Sequence, residues 1–391
     1  MVAAATTDAS SMATLAHAPS RPAAPPRPSD PAGPSGPVRH LGPNWYATVM
    51  GTAIVANAGA ALPLAAPGLR TAYQLVWALS GLLLVTLLAA RTVHWLRHTD
   101  QARRHLLDPA VAPFYGCLSM ALLAVGGGTL TVGRDVIGGP AALATDAVLW
   151  SLGTLVGVAG AAAIPYLMVT RHRIEPGSAT PVWLLPLVAP MVSAALGPGL
   201  LPHLPAGQAR QAMLLGCYAL FGMSLLATLL VLPLVMSRLI HHGPLPLALT
   251  PTLFLVLGPL GQSTTATGNL ADVAPGVVDA PTAHAMGAFA VLYGIPVTGF
   301  ALLWLALATA LVVRAVRNGM PFAMTWWGFT FPLGTCVTGA AGLARHTGLT
   351  AFTWLAVALY ALLVAAVAVA AARTASGLVH GRLLTPVPPA R

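Results

Sequence analysis

The chain has 391 residues, of which 57% are hydrophobic and only 7% are charged. Soluble domains carry about 25% charged residues, so this composition excludes a water-soluble globular protein and predicts an integral membrane protein. All 19 basic residues are arginine, and with 9 acidic residues they give a formal net charge of +10. Because the arginines lie between apolar blocks, they indicate membrane orientation rather than binding to nucleic acid.

Both ends of the chain differ in composition from its middle. Residues 1–42 are rich in proline, alanine and serine and lack the apolar segment of a signal peptide. We expect them to form a disordered cytoplasmic tail, and residues 374–391 to form a second, shorter one. Residues 43–373 then form one transmembrane transporter or channel domain.

Between these tails lie ten stretches of 20 or more residues without a charged side chain. A helix needs about 20 residues to cross a hydrocarbon core of about 30 Å. In lipid the backbone must satisfy its own hydrogen bonds, so apolar runs of this length predict helices rather than barrel strands. The ten predicted helices cover residues 44–66, 71–90, 113–133, 147–170, 181–201, 211–237, 251–271, 285–313, 322–344 and 347–372.

The arginines are distributed unevenly between the two sides of these helices. The tails and the loops after even-numbered helices hold fifteen arginines, whereas the loops after odd-numbered helices hold four. By the positive-inside rule, both termini lie in the cytoplasm. The abundance of alanine, arginine and proline is typical of a GC-rich bacterial genome, so the expected location is a bacterial inner membrane.

The odd-numbered predicted helices begin at prolines that repeat along the chain. Pro43, Pro113, Pro181, Pro251 and Pro321 are separated by 70, 68, 70 and 70 residues. Proline suits the first helical turn, and five prolines at nearly one interval indicate a structural repeat. The expected fold class is therefore all-α, with ten transmembrane helices arranged as five helical hairpins.

The two helices of each predicted hairpin differ in composition. Odd helices carry glycine, proline and hydroxyl residues, whereas even helices are almost purely apolar. We therefore expect the odd helices to form an inner ring that lines a central pore and the even helices to face lipid. A solid bundle, in which glycine and proline only assist packing, stays the alternative. The candidate helix breaks are Gly51, Pro190, Pro259 and Pro332.

Four segments of the chain resemble one known family. They are GPNWYATVMGTAIVANAG, RHLLDPAVAPFYG, LGPLGQS and WWGFTFPLGT, in the first helix, before the third, and in the seventh and ninth helices. They are similar to the tellurite-resistance/dicarboxylate transporter family, which includes malic-acid transporters, sulfite efflux pumps and plant slow anion channels. The resemblance covers residues 44–372 and leaves both tails unmatched.

The resemblance implies a quasi-fivefold ring of hairpins that assembles as a homotrimer. In the channel branch of the family, a phenylalanine on the ninth helix closes the pore, and by motif position this residue is Phe331. Phe331 as an ordinary core aromatic is the alternative. Phe329, two residues earlier, is expected only to pack.

The polar residues of the odd helices suit an anion, because hydroxyls and amides can donate hydrogen bonds to it and no carboxylate falls inside these predicted spans. A serine or threonine can instead bond its own helix backbone. Asp146 is placed at the start of the fourth helix, where the helix dipole favours an acid. The candidate pore-lining residues are Thr48, Thr52, Asn57, Ser119, Ser193, Gln262, Ser263, Thr264, Thr330 and Thr335.

The function predicted from these features is transport of a small anion through a pore gated by Phe331. The substrate is a C4-dicarboxylate such as malate, or an oxyanion such as tellurite or sulfite. No arginine falls inside a predicted odd helix to bind a second carboxylate. A passive channel for chloride or nitrate is the alternative.

A membrane enzyme or an assembly subunit is the third class of function. An enzyme would need a catalytic motif, and the chain has no G-x-x-x-x-G-K-[ST], H-E-x-x-H or G-x-S-x-G sequence. We therefore predict no enzymatic activity, no cofactor and no metal. The expected partners are the lipid bilayer, the small anion and further copies of the chain, with no nucleic acid.

Overall fold

A computed structural model of the chain describes residues 37–64, 66–381 and 383. Within them the regular structure is helical, without strands, and each of the ten predicted runs falls on a helix. The helices are α1 (Tyr46–Ala61), α2 (Leu69–Arg97), α3 (Ala112–Ile137), α4 (Gly139–Thr170), α5 (Pro181–His203), α6 (Gln208–His242), α7 (Leu257–Val273), α8 (Ala280–Arg317), α9 (Thr330–Thr347) and α10 (Thr350–Val379). A short helix over Thr99–Leu107 joins α2 to α3.

Seven of these helices, namely α2, α3, α4, α5, α6, α8 and α10, are long and apolar enough to cross a membrane. This makes the chain a multi-pass membrane protein. The other three, α1, α7 and α9, are shorter or more polar, and most of their residues are buried in the protein. Three 3-10 segments lead directly into them, over Pro43–Trp45, Leu247–Val256 and Met324–Phe329.

Odd and even helices differ sharply in burial. The most apolar windows of α3 and α5 are 83% buried, whereas those of the five even helices are only 17–22% buried. The even helices expose large apolar side chains such as Leu82, Leu230 and Leu303. Small and hydroxyl residues allow close packing between helices, while plain apolar faces suit lipid. The composition of each helix thus accounts for its burial.

The odd helices also contact one another in a regular order. Each packs against the even helix that follows it in the chain, as expected of hairpins. In addition, α1 contacts α3, α3 contacts α5, α5 contacts α7, α7 contacts α9, and α9 contacts α1. Each odd helix therefore has two other odd helices among its neighbours.

The predicted helix breaks need correction. Helix α1 runs without interruption through Gly51, where a Cβ atom would collide with Thr330 Oγ1 of α9, so this glycine allows two helices to approach closely. Pro190 lies within α5, which stays helical on both sides of it. Pro259 and Pro332 are the third residues of α7 and α9, directly after 3-10 turns. In a first turn the missing N–H has no intrahelical partner to lose.

The folded domain begins earlier than the predicted boundary at residue 43. Leu41 is buried, and its carbonyl oxygen accepts a hydrogen bond from the side chain of Arg91. Nη2 of Arg39 lies 2.9 Å from Oδ2 of Asp100. Helix α10 likewise extends beyond residue 373, because Thr374 is buried and accepts a 2.9 Å hydrogen bond from the indole of Trp327. The rest of the predicted tails, namely residues 1–36, 382 and 384–391, lies outside the described residues.

The charged residues of the spans also lie elsewhere than predicted. Helix α4 begins at Gly139, so Asp146 is about two turns inside it and buried, not at its N-terminus. Asp272 and Arg345 belong to the last turns of α7 and α9. A count of charge-free residues therefore ends these two predicted helices too early. A cation such as Arg345 is in fact favoured in the last turn of a helix by the helix dipole.

Candidate functional site

A cavity of about 150 Å³ lies among the five odd helices. Every odd helix contributes to its lining, and no even helix does so in the described part of the chain. The lining residues are Ile54, Asn57, Ala61, Ala124, Gly127, Thr131, Val192, Leu196, Gln262, Thr265, Asn269, Phe331, Thr338 and Arg345.

The lining follows both the helical period and the repeat of the sequence. On α7 it uses Gln262, Thr265 and Asn269, which are three and then four residues apart and therefore share one helix face. Ile54, Ala124, Val192 and Gln262 each lie eleven residues after the repeated proline of their hairpin. Equivalent positions of successive hairpins thus face the same cavity.

Phe331 lies at the end of this cavity that is nearer the N-termini of the odd helices. It is 2% exposed, and on α9 it precedes the lining residues Thr338 and Arg345. A second cavity, of about 10 Å³, is lined by earlier residues of the same helices, and its lining ends at Gly328 before α9. That volume holds about one water molecule. Along α9 and the 3-10 turn before it, Phe331 therefore lies between the residues that line the small cavity and those that line the larger one.

Two asparagines of the cavity connect neighbouring odd helices. Asn57 Nδ2 donates to the carbonyl of Ala124 in α3 over 2.9 Å, and Asn269 Nδ2 donates to the carbonyl of Ala195 in α5 over 2.8 Å. The hydroxyls of Thr265 and Thr338 lie 2.7 Å apart and join α7 to α9. These groups use their hydrogen bonds to hold the wall of the cavity.

Gln262 and Arg345 are the donors best placed to meet an anion. Gln262 is 4% exposed, and its Oε1 is buried without a hydrogen-bond partner in the described part of the chain. The oxygen and nitrogen of a carboxamide can exchange places by rotation of the side chain. Gln262 can therefore direct an N–H into the cavity. Arg345 supplies a positive charge at the opposite end from Phe331.

The family described as voltage-dependent anion channel, SLAC1, matches residues 40–375. The chain belongs to the SLAC1 family. This confirms the family recognised from the four segments, and the match begins three residues before the predicted domain. Members of the SLAC1 family are channels and transporters, so the finding agrees with a role in anion movement.

Curated relatives of the SLAC1-family chain include transporters of fungi and archaea. A sulfite efflux pump of Trichophyton rubrum is 28% identical over 318 residues, which cover 79% of this chain and 83% of the pump. An uncharacterized transporter of Methanocaldococcus jannaschii is 27% identical over 304 residues, covering 78% of this chain and 83% of the relative. A second one from that organism is 24% identical over 327 residues, covering 83% and 91%.

The structure places the ten predicted lining residues of this SLAC1-family chain in four settings. Asn57 and Gln262 line the larger cavity. Ser119 donates to the carbonyl of Gly153 in α4, and Ser193 is fully buried with no partner for its hydroxyl in the described part. The other six donate to carbonyls three or four residues earlier, over 2.7–3.1 Å; these are Thr48, Thr52, Ser263, Thr264, Thr330 and Thr335.

Sequence reasoning missed five polar residues of the cavity. Thr265 and Asn269 could have been found, because they follow Gln262 at the spacing of one helix face. Thr131, Thr338 and Arg345 also line the cavity, but the sequence pattern around them indicates this less clearly. Arg345 in particular follows the charge-free run 322–344, so the sequence places it among the four arginines of the loops after odd-numbered helices.

Proposed function

We propose that this chain moves small anions across a cell membrane along a path enclosed by α1, α3, α5, α7 and α9. The observation that carries the proposal is the cavity of about 150 Å³ to which all five of these helices contribute. Their contacts with one another, which lead from α1 through α3, α5 and α7 to α9 and back, support a ring rather than a solid bundle. The ten helices then form five hairpins in a quasi-fivefold ring.

Phe331 is the gate of the proposed path. Its buried side chain lines the larger cavity, and an apolar side chain can block a pore sterically and by excluding water. The 3-10 turn before α9 and the imide of Pro332 set the backbone on both sides of it. These features support a gate at this position.

The substrate that we favour is a small oxyanion of the sulfite type. Among the described lining residues Arg345 is the one with a charge, so the second carboxylate of a C4-dicarboxylate such as malate has no cation to pair with. Relatives that are 28% identical include sulfite efflux pumps, which supports the same choice. Tellurite, another oxyanion, is the second candidate.

Flux into proteoliposomes of the full chain tests this function. With labelled sulfite, tellurite, chloride, malate and succinate offered in turn, we expect the inorganic anions to enter faster than the two dicarboxylates. Empty liposomes give the background. Faster entry of malate than of sulfite would overturn the choice of substrate, and no flux of any anion would overturn the function.

A passive anion channel is the second candidate. The family description favours it, and so does a cavity without a carboxylate to carry a proton. With the membrane potential clamped, a channel brings the internal anion only to its electrochemical equilibrium. A coupled transporter accumulates the anion beyond that value.

We further propose a homotrimer in a bacterial inner membrane with both termini in the cytoplasm. The arginine distribution and the family resemblance support this arrangement. Single cysteines replacing Asp30, Arg70 or Thr385, in a chain without its three native cysteines, test the topology. We expect a membrane-impermeant thiol reagent to label position 70 from outside the cell and the other two only after lysis. Labelling of position 30 in intact cells would contradict the topology.

A further inference from the structure

An ion pair lies between the last turns of α7 and α9, at the end of the cavity opposite Phe331. Nη2 of Arg345 lies 3.3 Å from Oδ2 of Asp272, and Nε2 of His346 lies 3.2 Å from Oδ1 of Asp272. The side chains of Arg345 and Asp272 keep 48% and 43% of their surface exposed. Water therefore reaches the pair, and an entering anion can meet it.

Arg345 and Asp272 differ in their position relative to the cavity. Arg345 lines it, whereas Asp272 lies three residues after the lining residue Asn269. Residues three apart on a helix are neighbours on one face, so Asp272 shares the cavity-facing side of α7. Its carboxylate offsets the charge of Arg345 at the point where an anion enters.

We propose that Asp272 determines which anions enter the cavity, because it neutralises Arg345 at the entrance. The inference rests on the proposed anion path. A half-exposed ion pair adds little to folding stability, so its main effect is on the electrostatic potential of the entrance. Coulomb energy grows with the product of the charges. The neutral pair therefore gives a dianion no Coulombic advantage over a monoanion, whereas loss of Asp272 benefits dianions most.

Initial uptake of chloride and sulfate into proteoliposomes of the full chain, at one fixed pH and low ionic strength, tests the proposal. For Asp272→Asn we expect subsaturating uptake to rise about threefold for chloride and about tenfold for sulfate, through a lower KM. Arg345→Gln should lower both rates. The double variant restores a neutral entrance and should return toward wild type. The differences should vanish at about 1 M salt, where the Debye length is about 3 Å.

The control is Asp135→Asn. Asp135 forms an ion pair with Arg70 of similar exposure, 44% and 46%, at 2.7 Å, and neither residue lines the cavity. Uptake by this variant should match wild type. A structural role of the Asp272 pair predicts instead that both single variants and the double variant all lose uptake, and that result would overturn the proposal. Equal behaviour of Asp272→Asn and Asp135→Asn would overturn it as well.

A second measurement separates this inference from the proposed function. The melting temperature of the detergent-solubilised full chain and of each variant is measured at increasing sulfate concentration. Stronger stabilisation of Asp272→Asn than of wild type supports the role of Asp272, and equal stabilisation refutes it. Absence of flux in wild type would refute the transport function alone, because the titration still decides the role of Asp272.

Discussion

Truncation of Phe331 to alanine should raise anion flux by about tenfold or more, which corresponds to lowering a barrier by about 1.4 kcal/mol. Phe331 is 2% exposed and lines the larger cavity, and the residues before it on the chain line the smaller one. If it is the proposed gate, its removal joins the two spaces. The measurement is chloride or sulfite flux in proteoliposomes, divided by the amount of folded protein from size-exclusion chromatography.

The control for this variant is Phe329→Ala. Phe329 is half-buried and packs edge-on against Phe254 and Trp326, with ring centroids 4.9 Å and 5.9 Å apart, and it does not line the cavity. Its loss should leave flux per folded protein unchanged or lower it. A core phenylalanine costs about 3–5 kcal/mol when truncated, so a fall of both folded protein and flux for Phe331→Ala would contradict a gate.

Much of the fold was predictable because lipid leaves few options for the backbone. Runs of apolar residues must be helical, and each of the predicted runs falls on a helix. The contrast between polar odd helices and apolar even helices predicted which would be buried, since only a protein interior satisfies hydroxyls and close glycine contacts. Helix ends were less predictable. Asp146 lies inside α4 because the helix begins at Gly139, before the charge-free run that starts after this residue.

The site was less predictable, because composition does not fix where a side chain points. A hydroxyl in an apolar setting can bond the carbonyl one turn earlier, and Thr52 and Thr330 do so. The longer amides of Asn57 and Gln262 reach the cavity instead. The contribution of Arg345 depends on the extension of α9 beyond its charge-free run, which no count of apolar residues reveals.

Substitution of Gly261 by alanine should disrupt the contact between α7 and α9. A Cβ at Gly261 would lie 2.5 Å from the carbonyl carbon of Thr335 and closer still to the amide nitrogen of Cys336. Both are backbone atoms of α9, so no side-chain rotation relieves the clash and the two helices must separate. Overpacking costs about 1–3 kcal/mol, occasionally more. We expect a lower melting temperature of the solubilised protein and a loss of flux, because α7 and α9 together supply six cavity residues.

Gly258, one turn earlier on α7, provides the matched control. A Cβ there would have Pro332 Cγ as its nearest neighbour, at 4.0 Å, which is an ordinary contact. Alanine favours a helix over glycine by about 1 kcal/mol, so Gly258→Ala should keep or raise the melting temperature and keep the flux. The two variants make the same chemical change three residues apart and differ in whether a second backbone is present. If Gly261→Ala kept the wild-type melting temperature, α7 and α9 could move apart without a loss of stability. The close packing of the cavity wall near Gln262 and Phe331 would then not depend on this glycine.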